Sequence, residues 1–164
     1  MIKAINAMNK IKARKENIRI KINKRIIHLK DRKEKDKKIQ DTLLKLKEIK
    51  EAELIHCYQS LKDEVSTKSV LKLLKDKIIV APQRKAHLKA VNANVFIIPC
   101  RAFDLSCNRL GRGSGYYDLF LKNVKGKKIT LAYEEQLAKI PVEEHDQKID
   151  MIITEKRIIK INKD

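Results

Sequence analysis

The chain contains neither glycine nor proline before residue 81. Because these two residues most often interrupt regular structure, their absence favours long helices joined by polar turns. Ile18, Ile22 and Ile26 recur at helical spacing beside a strongly basic face, which predicts an amphipathic helix over about residues 12–29. Residues 1–11 are interpreted as an N-terminal extension of the domain.

The rest of the chain predicts an α/β fold. The charged stretch 30–38 is interpreted as a solvated connection or the start of a second helix, which carries Ile39, Leu43, Leu46 and Ile49. Short apolar runs then alternate with helical patterns, as in a βαβ series. The expected strands are 52–58, 77–80, 94–99, 128–133, 149–154 and 158–161, the expected helices are 66–75 and 116–124, and a short helix is expected over 83–93.

This pattern predicts one domain over residues 1–164, with a mainly parallel sheet flanked by helices and a long basic N-terminal helix. Ligands of such sheets bind outside the carboxyl ends of the strands. The connections after Val80, Pro99 and Tyr133 are therefore the expected location of a site.

The charge of the chain limits its partners. A net charge of +18 suits a polyanion, an anionic membrane or a phosphorylated small molecule. No apolar run has the roughly 20 residues of a membrane span, so no membrane partner is expected. Three cysteines without a C-x-x-C pair suggest neither a disulfide framework nor a zinc site. We expect a cytoplasmic protein, a monomer, with no obligate nucleic-acid partner.

Three of the four glycines fall at alternate positions, as Gly111, Gly113 and Gly115. Without a Cβ, such a segment takes positive φ and lets its backbone N–H groups form an anion site. Arg109 and Arg112 add positive charge, so we interpret the loop as a phosphate cradle. The alternative is a tight structural turn. The pattern is neither a P-loop nor a Rossmann fingerprint.

Five segments carry a specific resemblance. Residues 98–104 (IPCRAFD), 108–118 (NRLGRGSGYYD), Gln136, 141–146 (PVEEHD) and 149–150 closely resemble the 5-formyltetrahydrofolate cyclo-ligase family, also called methenyltetrahydrofolate synthetases. The likeness runs from about residue 96 to the C-terminus. The segment between Pro82 and Pro99 is shorter than the family normally has.

The resemblance implies a reaction and a set of site residues. Members of the family use ATP and Mg²⁺ to convert 5-formyltetrahydrofolate into 5,10-methenyltetrahydrofolate, ADP and phosphate. The implied catalytic residues are Arg109, Arg112 and Tyr116. The implied ATP-binding residues are Lys15, Arg19, Arg109, Leu110, Gly111, Arg112, Gly113, Ser114, Gly115, Tyr116 and Tyr117. The implied folate-binding residues are Gln59, Glu64, Arg112, Gly113, Ser114, Gly115 and Tyr116, and the implied Mg²⁺ ligands are Asp118 and Asp146.

Without the resemblance, several of these residues have simpler interpretations. Lys15 and Arg19 would belong to a solvated basic face, Glu64 and Asp118 would be acids near a helix start, and Tyr117 would be core. Two alternative functions also stay open. One is a relative that binds nucleotide without turnover. The other is a basic RNA-associated module, which the absence of aromatic residues from the first fifty positions disfavours.

Overall fold

A single helix of 26 residues, α1 (Ile2–Ile27), opens the chain. The computed structural model of the protein describes residues 2–81 and 92–161, and most of the short helix expected over 83–93 lies outside these residues. Helix α1 begins about ten residues before the predicted start. The long basic N-terminal helix is confirmed, and it includes most of the segment interpreted as an extension.

Two helices follow where the sequence predicts one. Helix α2 (Arg32–Lys45) begins inside the charged stretch. Leu46, which follows it, has an extended backbone that separates α2 from α3 (Lys47–Glu51). Ile39, Leu43 and Ile49 are nevertheless all buried, so the apolar face continues across the break. No glycine or proline marks Leu46, so the sequence carries no signal for this interruption.

A six-stranded sheet forms the centre of the fold, as predicted, with strand order β2-β1-β3-β6-β7-β8. All neighbouring strands are parallel except β7 and β8, which are antiparallel. The strands of this sheet are β1 (Ile55–Tyr58), β2 (Ile78–Ala81), β3 (Val95–Pro99), β6 (Lys127–Leu131), β7 (Met151–Ile153) and β8 (Ile158–Lys160). Strands β4 (Ala102–Phe103) and β5 (Arg109–Leu110) pair as a separate antiparallel hairpin. Helices α4 (Lys68–Leu73) and α5 (Tyr116–Leu121) complete the α-helices of the described residues.

Successive side chains of the strands enter two apolar layers. On β3, Ile97 packs in the layer that contains Ile22 and Leu43 of the N-terminal helices. Its neighbours Phe96 and Ile98 pack on the other face, among residues that include those of α5. This alternation is the normal consequence of the pleat, and it buries both faces of the sheet.

Among the residues that the structure describes, no helix has the length and hydropathy needed to cross a bilayer.

Candidate functional site

The glycine loop, residues 111–115, lies beyond the carboxyl ends of the parallel strands. The backbone N–H of Arg101, just after β3, donates to the carbonyl of Leu110 at 2.7 Å, which holds the loop beside the end of β3. Helix α1 approaches from the other side, where Nε of Arg19 donates to the carbonyl of Gly111 at 2.9 Å. The loop is therefore fixed between the sheet and the first helix.

Alternate residues of this loop face two different cavities. Gly111, Gly113 and Gly115 line one cavity, whereas Arg112 and Ser114 line the other. Such alternation is typical of extended backbone. On the glycine side there is no side chain to cover the backbone, so the main chain itself forms part of the cavity wall.

Two of the glycines require their residue type. Gly113 has φ +112° and Gly115 has φ +69°, both in the region that side chains disfavour. A Cβ on Gly113 would lie 3.4 Å from the guanidinium carbon of Arg19, which is an ordinary van der Waals contact, so the requirement comes from the backbone angle. The positive φ expected from the sequence is thus present at two of the three alternating glycines.

The cavity on the glycine side, which we call the carboxylate cavity, has a volume of about 350 Å³. It combines cations of α1, the glycine backbone and a group of acidic side chains. Its lining residues are Met8, Asn9, Lys12, Lys15, Arg19, Arg109, Leu110, Gly111, Gly113, Gly115, Asp118, Glu143, His145 and Asp146.

Lys15 is buried in this cavity between two carboxylates. Its Nζ donates to Glu143 Oε2 at 2.7 Å and to Asp146 Oδ2 at 2.6 Å. Burial alone would lower the pKa of Lys15, but the hydrogen bonds and charges of the two acids outweigh it and raise the pKa above its usual value. Both acids therefore form ion pairs with the same ammonium group.

The acidic group also has the donor set of a metal site. One ligand atom each from Glu143, His145 and Asp146 lie within 4.8 Å of one another. Carboxylate oxygens are the ligands that Mg²⁺ prefers, and these two already hold the ammonium of Lys15. Asp118 lines the same cavity, where its Oδ1 accepts from Arg109 Nη2 at 3.3 Å. The residues therefore fit a hard divalent cation.

The second cavity, which we call the aromatic cavity, has a volume of about 170 Å³. Its walls are the ends of the first three strands of the sheet, the turn after β1 and the even-numbered side of the glycine loop. The lining residues are Tyr58, Gln59, Leu61, Glu64, Ala81, Pro99, Cys100, Arg101, Arg109, Arg112, Ser114, Tyr116 and Tyr117. A flat ring with polar edges is the kind of ligand that suits such a mixture of aromatic, apolar and charged groups.

Glu64 is the buried acid of the aromatic cavity. Its Oε2 accepts from the backbone N–H of Leu61 at 2.8 Å, and its Oε1 accepts from Nε and Nη2 of Arg112 at 3.2 Å each. These contacts fix the carboxylate at the cavity wall. The sequence alone gave Glu64 an ordinary role near a helix start, yet α4 begins at Lys68 and Thr67 occupies the capping position.

Arg109 lines both cavities and is almost completely buried. Its Nη1 donates to the carbonyl of Pro99 at 3.2 Å, and its guanidinium carbon lies 5.7 Å from the ring centre of Tyr117. Its Nε has no hydrogen-bond partner among the described residues. Arg109 is therefore a fixed positive charge at the junction of the two cavities.

The structure divides the residues of the sequence prediction between the two cavities. Those expected to bind ATP are not all together, because the carboxylate cavity is not lined by Arg112, Ser114, Tyr116 and Tyr117, which line the aromatic cavity. Those expected to bind folate divide likewise, because Gly113 and Gly115 line the carboxylate cavity. The two expected metal ligands, Asp118 and Asp146, line the same cavity.

Sequence reasoning missed three charged residues that line the two cavities. Lys12 precedes Lys15 by three positions and shares its helix face, so helical spacing alone could have identified it. Glu143 stands three residues before Asp146 in the recognised segment. Arg101 follows an apolar strand, and no sequence signal indicates that its side chain returns to the cavity.

The cysteine of the aromatic cavity is not a nucleophile at neutral pH. Cys100 is buried, and burial raises the pKa of its thiol to about 12 even though Arg109 and Arg101 lie near it. With this raised pKa almost none of the thiol is ionised at pH 7, and the thiolate is the form that reacts.

Comparison with known proteins finds similarity to one family in the second half of the chain. Residues 75–155 match the model of the 5-formyltetrahydrofolate cyclo-ligase family. The 5-formyltetrahydrofolate cyclo-ligase of Mus musculus is 40% identical over 79 residues, which are 44% of this chain and 39% of the mouse protein. The matching region thus spans about two fifths of that relative. The resemblance expected from the sequence motifs is confirmed.

Solved structures extend the likeness over most of the chain. A 5,10-methenyltetrahydrofolate synthetase from Aquifex aeolicus superposes with a TM-score of 0.76 at 25% identity, covering 92% of this chain and 94% of that one. One from Mycoplasma pneumoniae gives a TM-score of 0.74 at 24% identity, covering 86% of this chain and 98% of that one, and shows the same fold.

Proposed function

We propose that this chain, which is related in sequence and fold to the 5-formyltetrahydrofolate cyclo-ligase family, is an ATP-dependent cyclo-ligase. Its substrate is 5-formyltetrahydrofolate, and its products are 5,10-methenyltetrahydrofolate, ADP and phosphate. The observation that carries the proposal is the glycine loop between two cavities, one with cations and carboxylates and the other with aromatic and polar walls. A nucleotide and a ring-bearing substrate would meet across this loop.

The chemistry requires activation of a poor leaving group. The formyl oxygen attacks the γ-phosphorus of ATP, the bond from that phosphorus to the bridging oxygen breaks, and ADP departs. N10 then attacks the activated formyl carbon and loses its proton, and the carbon–oxygen bond breaks to release phosphate. Phosphoryl transfer of this kind depends mainly on positioning and on neutralisation of charge.

The residues of the carboxylate cavity would hold the nucleotide. In the proposal, Lys15, Arg19 and the backbone of residues 111–115 contact the phosphates. Arg109 neutralises charge at the transferred group, since it is the cation that lines both cavities. Asp118 and Asp146 would hold Mg²⁺, with Glu143 beside them. The metal would supply Lewis-acid stabilisation of the phosphate oxygens.

The residues of the aromatic cavity would hold the folate. Glu64 can accept hydrogen bonds from the amino group and ring N–H of a pterin, and Arg112 keeps that carboxylate in position through its two contacts at 3.2 Å. Tyr116 would pack on the ring, and Gln59 and Ser114 would contact its edge. Tyr117, packed between Arg109 and Phe120, supports the loop.

The test is the absorbance of the methenyl product when purified protein is incubated with 5-formyltetrahydrofolate, Mg²⁺ and ATP. Product that depends on ATP, with one ADP released per product, is expected. ATP binding without product would instead indicate a binding protein and would contradict the proposed activity. Leu119→Ala is a suitable control variant, because Leu119 is an exposed residue of α5 that lines neither cavity.

A further inference from the structure

A carboxylate already occupies a site between two arginines at the edge of the aromatic cavity. Asp63 Oδ2 accepts from Arg101 Nη2 at 2.6 Å, and Asp63 Oδ1 pairs with Arg112 Nη2. Burial alone would raise the pKa of Asp63, but the two guanidinium groups outweigh it and lower the pKa to about 2. The site is therefore built for a carboxylate.

Arg101 has binding capacity that Asp63 does not use. Its side chain is only 8% exposed, and its Nη1 is shielded from solvent without a hydrogen-bond partner among the described residues. A buried cationic donor without a partner costs free energy, and such donors are rare unless a ligand or water completes the site. Since Arg101 lines the aromatic cavity, a ligand in that cavity can supply the missing acceptor.

The position of Arg101 indicates which part of a ligand it would meet. Arg101 and Arg112 line both the aromatic cavity and a neighbouring open groove, which also contains Asp63 and Asn23. Arg101 does not line the carboxylate cavity. Arg101 therefore lies where the aromatic cavity adjoins the open groove, outside the carboxylate cavity, although Arg19 of α1 lines both that groove and the carboxylate cavity.

We propose that Arg101 is a substrate-binding residue that holds a carboxylate on the tail of the ligand in the aromatic cavity. A planar guanidinium can match a carboxylate in two parallel hydrogen bonds. Arg101 makes only one hydrogen bond to Asp63, through Nη2, which leaves Nη1 for a second acceptor. The inference rests on the proposed function, under which the ligand is a folate and the carboxylate belongs to its glutamyl group.

The test is equilibrium binding of two compounds, 5-formyltetrahydrofolate and the amide of 5-formyltetrahydropteroic acid, which has neither the glutamyl carboxylates nor a free benzoate carboxylate. Wild-type protein is expected to bind the glutamyl compound about tenfold more tightly, as for one charge-assisted hydrogen bond. Arg101→Leu is expected to weaken binding of the glutamyl compound by about that factor and to leave the affinity for the other compound unchanged. Lys62→Leu, an exposed residue beside Asp63, is the control for a general loss of positive charge.

Equal weakening of both compounds by Arg101→Leu would overturn the inference, because it would show a purely structural role. If that variant does not fold, Arg101→Lys carries the same comparison. Lysine keeps the charge but lacks the planar fork, so a loss confined to the glutamyl compound is expected and an unchanged preference would overturn the inference. Wild-type protein that binds both compounds without preference refutes this inference alone, whereas protein that binds neither refutes the proposed function as well.

Discussion

His56 provides a sensitive test of how the buried sheet responds to acid. It lies on β1 with no exposed surface, and its ring centre is 5.5 Å from that of Phe96 and 5.1 Å from that of Phe120. Neither ring nitrogen has a hydrogen-bond partner among the described residues. Burial lowers the pKa of His56 from 6.5 to about 4, so the folded protein keeps this imidazole neutral.

The sign of the pH effect follows from this lowered pKa. The unfolded chain binds a proton on His56 near pH 6.5, whereas the folded protein binds it only near pH 4. The stabilisation by neutral His56 is therefore complete above pH 6.5 and decreases as the pH falls through this window. Proton linkage gives a loss of about 2 kcal/mol at about pH 5 and about 3 kcal/mol at about pH 4.

The perturbation is His56→Leu, which removes the titration and both unpaired nitrogens while roughly conserving volume. Urea unfolding followed by circular dichroism at about pH 7.5 and about pH 5 measures the difference. Wild-type protein is expected to lose about 2 kcal/mol more unfolding free energy than the variant between these pH values. Other acid-sensitive groups such as Asp63 are present in both proteins and cancel. His28→Leu, at an exposed position, is the control. An equal loss of unfolding free energy in the wild type and in His56→Leu would show that the titration of His56 does not cause the acid sensitivity.

Three further predictions concern the carboxylate cavity. Gly113→Ala should raise the KM for ATP about tenfold, since φ +112° lies outside the left-handed helical region that other residues occasionally adopt. Gly115→Ala should have a smaller effect, since φ +69° lies within that region and an added Cβ meets no atom within 4 Å. Similar KM values for the two variants would argue against ATP binding at the glycine backbone of the carboxylate cavity. Arg109→Ala should weaken ATP binding in a calorimetric titration, and unchanged affinity would place the phosphates elsewhere. Asp118→Ala should remove Mg²⁺-dependent turnover, with a circular dichroism spectrum like that of the wild type. Undiminished turnover would show that Asp118 is not a Mg²⁺ ligand.

Most of the sheet could be predicted because its strands are short apolar runs set off by polar or helical segments. The limits of β3 and β8 are within one residue of the prediction. The predicted helix was wrong in continuity, because the backbone of Leu46 is extended and separates α2 from α3 where the sequence has neither glycine nor proline. The early start of α1 was missed, although Ile5, Met8 and Ile11 recur at three-residue spacing and continue the apolar pattern towards the N-terminus.

The glycine loop could be identified from sequence, but the division of its residues between two cavities could not. Alternation predicts that Arg112 and Gly113 point to opposite sides, yet which side meets α1 depends on the tertiary fold. The role of Arg101 was equally inaccessible, because its unpaired Nη1 is visible only when Asp63 and the cavity wall are in place. The sequence motifs identified residues that lie together in one segment, such as the glycine loop. They did not identify residues such as Arg101, whose contacts depend on the tertiary fold.

The most direct measurement is the structure of the complex with a non-hydrolysable ATP analogue. The account predicts that the triphosphate lies along the backbone of residues 111–115 in the carboxylate cavity, with Lys15 and Arg19 turned towards it. A triphosphate bound outside this cavity, or an analogue that does not bind at all, would contradict the account.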